Sequence, residues 1–211
     1  MNSAKRTSPS FLNRYTTLPV LFDILSKRSL TLLSPATWED RNDAYFMERY
    51  KTKKRLTSVL ALCFSNKRET FHHWKVFSQG FSGVCIKFDR QKLIEAIPKT
   101  GFKYRDVKYE NIITLERSAP LVEDLPFIKR TPYADEGEFR IIYQSKSKEV
   151  DAIEIPLTRD CVNRVTLSPW LPRALSDSVI TTIRAIDDCG WIKVQCSTLI
   201  ENERWKASVA P

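Results

Sequence analysis

Apolar and polar positions follow two rhythms along this chain, and the rhythm changes often. Leu18, Leu21, Phe22 and Leu25 recur at helical spacing, which predicts a helix over 18–27. A short strand over 30–33 runs into Ser34-Pro35, which should end it. Residues 37–43 read as a polar loop or the first turn of a helix, and 44–50 continue it. The stretch 58–65 is apolar enough for a central strand. A short helix over 69–77 would put Trp74 and Phe77 on one side, and a strand follows over 83–88. Asp89 is a good N-cap for a helix over 90–97. Residues 102–109 alternate weakly, as an edge strand does, and 111–130 are irregular. Strands over 138–144 and 151–156 flank 146–149, which reads as a hairpin loop. Ser176-Asp177 should cap a helix reaching Ile186, 191–196 should close the sheet, and a last helical segment lies near Arg204-Trp205. There is no strict βαβ rhythm. The expected fold is therefore α+β, one domain over 13–211 after a flexible lead over 1–12, with a mixed or mostly antiparallel central sheet flanked by helices.

One segment departs from the apolar logic of a buried strand. Tyr133-Ala-Asp135-Glu136-Gly-Glu138-Phe139-Arg140-Ile-Ile-Tyr143 carries three acids and an arginine at the strand's start. A period of two puts Glu138, Arg140 and Ile142 on one face and Phe139, Ile141 and Tyr143 on the other. Glu136 joins the first face if the strand begins early enough. Carboxylates at a sheet are costly unless paired or used. Either Glu138 and Arg140 form a structural ion pair with neighbours, or the segment carries chemistry.

Composition narrows the partners. The 211 residues suit one sizeable domain, and 42% hydrophobic with 28% charged is ordinary for a soluble globular protein. No apolar run approaches the roughly 20 residues that span a bilayer. The polar N-terminus has no apolar signal segment behind it, so a cytosolic protein is expected. Five scattered cysteines without a Cys-x-x-Cys pair, and only His72 and His73, read as buried free thiols rather than a zinc site. A net charge of +9 points to an anionic ligand, a nucleotide or nucleic acid, with the densest basic run at 49–55. With five glycines, neither a dinucleotide fingerprint nor a phosphate-binding P-loop can be written.

Several short motifs occur in a telling order. Arg14-Tyr15 is followed by Leu30–Pro35, Trp38 and Asp40, then Cys63-Phe64-Ser65, His73-Trp74-Lys-Val-Phe77 and Gly83–Asp89. Val107-Lys108-Tyr109, Phe127-x-Lys129 and the Asp-Glu-x-Glu-x-Arg segment complete the series. This order, over about 13–186, resembles the bacterial family catalogued as domain of unknown function 2971. The chain departs from it at Trp38-Glu39-Asp40-Arg41-Asn42, where the family usually shows Phe-Asn-Asp-Pro-Phe, and at Phe77, where Tyr is more usual. Asp40 is retained.

The layout is more distantly similar to NAD-dependent ADP-ribosyltransferase domains, especially small bacterial toxins that modify nucleic acid or protein. That resemblance implies NAD as cofactor, Glu138 as the carboxylate beside the ribose and Glu136 as the group orienting the acceptor. It further implies ligand-binding roles for Arg14, Tyr15, Ser34, Trp74 and Arg140, with Asp40 in the neighbouring loop. A role as toxin or antiphage effector would follow. Two other functions fit the residues: a non-catalytic nucleic-acid-binding or sensing module, and a metal-dependent nuclease using Asp40, Asp43, Glu136 and Glu138.

Overall fold

The sheet is organised around β3 (Ser58–Ser65), whose run Ser-Val-Leu-Ala-Leu-Cys-Phe-Ser is buried on both faces. The computed structural model describes residues 10–78 and 80–209. Before β3 come β1 (Phe11–Thr17), α1 (Leu18–Lys27), β2 (Ser29–Leu33) and α2 (Arg41–Lys54). After it come α3 (Phe71–Phe77), β4 (Gly83–Asp89), α4 (Arg90–Ala96), β5 (Phe102–Asp106), β6 (Lys108–Glu110), α5 (Ile112–Arg117) and β7 (Ile128–Arg130). The last third supplies β8 (Glu138–Ser145), β9 (Ala152–Pro156), β10 (Val162–Leu167), α6 (Arg173–Ala185), β11 (Lys193–Cys196) and α7 (Glu203–Ala207).

Nine strands form one mostly antiparallel sheet in the order β11-β10-β4-β1-β3-β2-β9, with β8 on β3 and β5 outside β8. β10 and β11 are its parallel neighbours, and β6 and β7 make a separate parallel pair. Along one edge β3 pairs with β8 from Ser58↔Ser145 to Ser65↔Glu138. Its other edge is shared: it meets β1 only at Asn13↔Ser65 and β2 only at Leu33↔Ala61. The sheet therefore splits at this edge.

One face of the sheet carries the main core. Leu12, Phe64, Ile86, Phe139 and Ile141 pack there against Leu21 and Leu25 of α1, Leu93 of α4 and Ile183 of α6. The opposite face is patchier: Val59, Ala61 and Ile142 meet Met47 and Tyr50 of α2, while Tyr15, Trp74 and Cys85 form a small cluster of their own. The alternation expected for the 138–144 strand thus holds, with Phe139, Ile141 and Tyr143 in the core and Glu138, Arg140 and Ile142 behind it.

The α+β fold, its single domain and α1 agree with the sequence reading; several details differ. The expected hairpin over 138–156 does not form, because both edges of β8 are taken by β3 and β5, and β9 lies beside β2 instead. The expected strand over 102–109 breaks at Val107, so that β5 joins the main sheet and β6 the small pair. α3 starts at Phe71 because the Thr70 side chain caps it, accepting from the His73 amide. α6 starts before Ser176, whose hydroxyl donates to the Arg173 carbonyl from inside the helix. The irregular stretch over 111–130 contains α5 and β7. β1 begins at Phe11, inside the lead expected over 1–12, the rest of which lies up to residue 9 outside the described residues. Among the described residues no helix is long and apolar enough to cross a membrane.

The chain enters β8 through Gly137, at φ 52°. Its carbonyl accepts from the Asn66 amide at 2.7 Å. A Cβ here would run into the Lys67 side chain and the Asn66 amide oxygen. Gly137→Ala combines a left-handed backbone with that clash and should cost about 1–3 kcal/mol, a Tm loss of roughly 3–10 °C in a thermal melt.

Candidate functional site

Two polar clusters lie on the sheet face opposite the main core. The first is built around Arg140, which is fully buried. Its guanidinium donates to Glu138 through Nε (2.6 Å to Oε1) and Nη2 (3.0 Å to Oε2). It also donates to Asp43 of α2, at 2.8 Å and 2.6 Å, and to the Pro126 carbonyl at 2.8 Å. The Trp38 ring covers it, 4.7 Å from the guanidinium carbon. Lys129 of β7 completes the group, 2.6 Å from Glu136, 3.6 Å from Glu138 and 3.8 Å from Asp43. Asp40 sets this up from a distance: its side chain accepts from the amides of Asn42 and Asp43, starting α2 so that Asp43 is in the first turn.

Three buried acids face two bases here, and they are not alike. Burial opposes ionisation of Glu138, but the charge and hydrogen bonds of Arg140, with Lys129, outweigh it and hold its carboxyl below the ordinary range. Burial pushes Asp43 and Glu136 up, and the neighbouring Glu138 adds to the push against the pull of Arg140 and Lys129. Glu138 is the member most firmly held as a carboxylate.

The second cluster surrounds a cavity of about 480 Å³. It is lined along the sheet by Phe11, Asn13 and Tyr15 of β1, Cys85 and Lys87 of β4, and Arg164 and Thr166 of β10. The turn after β3, Asn66-Lys67-Arg68-Glu69, forms another wall. Tyr15 is buried, stacks on His73 (centroids 5.1 Å, 14°) and meets the Trp74 ring edge-on at 5.2 Å. Its hydroxyl is within hydrogen-bonding reach of the Cys85 thiol and has no other partner among the described residues. Burial raises both groups, the thiol to about 12, so both stay protonated at neutral pH.

Strand register joins the two clusters. Arg164 is opposite Lys87, Lys87 opposite Asn13, Asn13 opposite Ser65, and Ser65 opposite Glu138. Residues directly opposed in antiparallel strands share a face, so cations stand at one end of this five-strand row and the held carboxylate at the other. Glu138 is two strands from Asn13, about 10 Å between backbones. The ground between them is fixed by Ser65, whose hydroxyl donates to the Glu136 carbonyl at 2.6 Å, and by His73, whose Nε2 lies 3.0 Å from Ser65 Oγ. His73 Nδ1 is 2.6 Å from Thr70 Oγ1. Burial lowers the His73 pKa, in keeping with a neutral ring tying α3 to the start of β8.

The residues singled out from the sequence do not meet in one place. Glu136, Glu138 and Arg140 gather in the first cluster, and Asp40 supports it as a helix cap. Of all of them only Tyr15 lines the cavity. Trp74 is fully buried behind Tyr15, its Nε1 donating to Glu69 at 2.7 Å. Arg14, next to Tyr15 on a strand, points to the other face; it donates to the Cys63 carbonyl at 3.1 Å across the split, and its Nε has no partner. Burial lowers its pKa, no carboxylate being among the groups that shift it. Ser34 is exposed and caps the 3-10 turn Pro35–Thr37, accepting from Ala36. The basic run over 49–55 ends α2, with Lys54 paired to Glu123. Asp43 and Glu138 are engaged by Arg140 and Glu136 by Lys129, and among the described residues no group of three or more His, Cys, Asp and Glu is placed to hold a metal. The sequence reading passed over Lys67, Arg68, Lys87 and Arg164. The alternation Val162-Asn-Arg-Val-Thr-Leu167 was the available signal for a half-buried strand carrying Arg164 on its polar face.

Comparison with known proteins gives a partial match. The model of a family described as protein of unknown function (DUF2971) matches residues 73–153, which include the His73-Trp74 motif and the whole of β8. No curated protein matches. Among solved structures, DarT of Thermus sp. 2.9 in complex with ADP-ribosylated ssDNA is similar at TM-score 0.48 and 13% identity, covering 90% of this chain and 95% of that one. The same protein in complex with NAD+ gives TM-score 0.48 at 11% identity, over 90% and 96%.

Removing one acid from the Arg140 fork leaves a buried charge half paired. Asp43→Asn should cost about 3–5 kcal/mol, a drop of roughly 10 °C or more in Tm. Ser34→Ala, at an exposed turn, should leave Tm within a few degrees in the same melts.

Proposed function

We propose that this protein is an NAD-using, ADP-ribosyltransferase-like enzyme. The observation that carries the reading is the shared row: a buried carboxylate held in its charged form and a cavity of nucleotide dimensions lie on one sheet face, two strands apart. Breaking the nicotinamide–ribose bond sends the bonding electron pair out with nicotinamide and builds positive charge on the ribose. A fixed carboxylate stabilises that charge while an acceptor nucleophile forms the new bond to the same carbon and gives up its proton. Glu138 takes the carboxylate role. Tyr15, held by His73 and Trp74, forms part of the cavity wall. For Glu138 to reach a ribose, the contacts of Ser65 and His73 between the two clusters have to give way. Acting on nucleic acid or protein in the bacterial cytoplasm, such an enzyme would serve as a toxin or defence effector.

A second reading, a non-catalytic nucleic-acid-binding module, is favoured by one fact: both oxygens of Glu138 are spent on Arg140. Glu138→Gln separates the two when both proteins are compared below their own Tm, since the variant also loosens the Arg140 fork. On the transferase reading NAD raises the Tm of both proteins, while nicotinamide release falls about 100-fold or more in the variant. Release from neither protein, with NAD leaving Tm unmoved across nucleic-acid and protein acceptors, overturns the transferase. On the second reading, oligonucleotide affinity is unchanged in the variant and drops steeply with salt.

A further inference from the structure

The cavity beside Tyr15 has a strongly positive lining. Lys67, Arg68, Lys87 and Arg164 line it with a single acid, Glu69. That acid is already engaged: Glu69 Oε1 accepts from Trp74 Nε1 and from Ser197 Oγ. Among the described residues none of the four cations has a salt-bridge partner. Lys87 and Arg164 are moreover direct cross-strand neighbours. Like charges placed so are destabilising by themselves. Lys87 shows it, since burial and then Arg164 lower its pKa from the ordinary value. Its ammonium rests over the Phe11 ring, 3.9 Å from the centroid.

The strand that carries Arg164 is also adapted to the pocket. Arg164 lines the cavity, and its Nε has no hydrogen-bond partner among the described residues. The register shift between Val162 and Arg164 is a bulge, a device that re-aims a side chain beside a site. Arg164 is placed by it opposite Lys87.

We propose that this cavity is a phosphate-binding site, in which Arg164 and Lys87 contact the phosphate or diphosphate group of a nucleotide-sized ligand and Lys67 and Arg68 close over it from the turn. A planar guanidinium beside an ammonium suits an anion with several equivalent oxygens. A volume of about 480 Å³ leaves room for the body that carries the phosphate. The site stands independently of the transferase reading, because a phosphate is held whether or not the ligand is turned over.

The test uses the full chain with inorganic pyrophosphate, ADP-ribose and a short single-stranded oligonucleotide, each titrated at low and high salt by calorimetry and thermal shift. Pyrophosphate should raise Tm at low salt, and Arg164→Gln or Lys87→Gln should weaken its binding roughly tenfold or more. Lys53→Gln, which removes an exposed charge from α2, should leave it unchanged. If a strand variant fails to fold, the exposed pair Lys67→Gln/Arg68→Gln gives the same readout from the turn. ADP-ribose binding tighter than the oligonucleotide assigns the phosphate to a free nucleotide, and the reverse order assigns it to a nucleic-acid backbone; either upholds the site. No binding of any probe, or equal binding by Arg164→Gln and Lys53→Gln, overturns it. Pyrophosphate binding without nicotinamide release upholds the site and defeats the transferase. Nicotinamide release that is untouched by pyrophosphate and by Arg164→Gln does the reverse.

Discussion

The guanidinium of Arg140 is the point on which the charged half of this structure depends. It is fully buried and gripped by Glu138 from its own strand and Asp43 from α2, so it fastens a helix to the sheet where the apolar contacts are sparse. A buried charge left unpaired is far more expensive than an exposed one, and the cluster is therefore all or nothing. Remove a partner and the remaining members lose their reason to be inside. The same constraint fixes Trp38 over the guanidinium and holds Lys129 and Glu136 against each other at the rim.

The split sheet gives this cluster its neighbourhood. β3 shares one edge between β1 and β2, so it pairs with neither along its length. Arg14 reaches across the gap to the Cys63 carbonyl, providing a side-chain bond where the ladder has lapsed. On the other face the cavity forms along β1, β4 and β10, beside the turn after β3. The architecture thus puts one face to packing and leaves the other to polar work.

Much of this was legible in the residues. The alternation through Glu138, Phe139, Arg140, Ile141 and Ile142 disclosed a strand with one greasy face and one charged face, and that is how β8 sits. The partner of Arg140 was not legible, since Asp43 is 97 positions away and no periodicity links them. β9 was misplaced for a related reason: proximity in sequence favours a hairpin, but β8 had already filled both edges with strands from elsewhere. Lys87 and Arg164 drew no notice in the sequence, since only the register sets them side by side. Local pattern reports the face a residue takes; only the pairing of distant strands says what it faces.

The row from Arg164 to Glu138 also has a history in time. Its five members, at positions 13, 65, 87, 138 and 164, come from strands scattered over most of the chain. Pairings so far apart in sequence close slowly, because each waits on the loop between its strands. During synthesis the cationic wall cannot exist until β10 has emerged, by which point β1, β3, β4 and β8 are already out. A nascent chain is thereby inert at this surface for most of its life on the ribosome, and the pocket arrives as one of the last acts of folding.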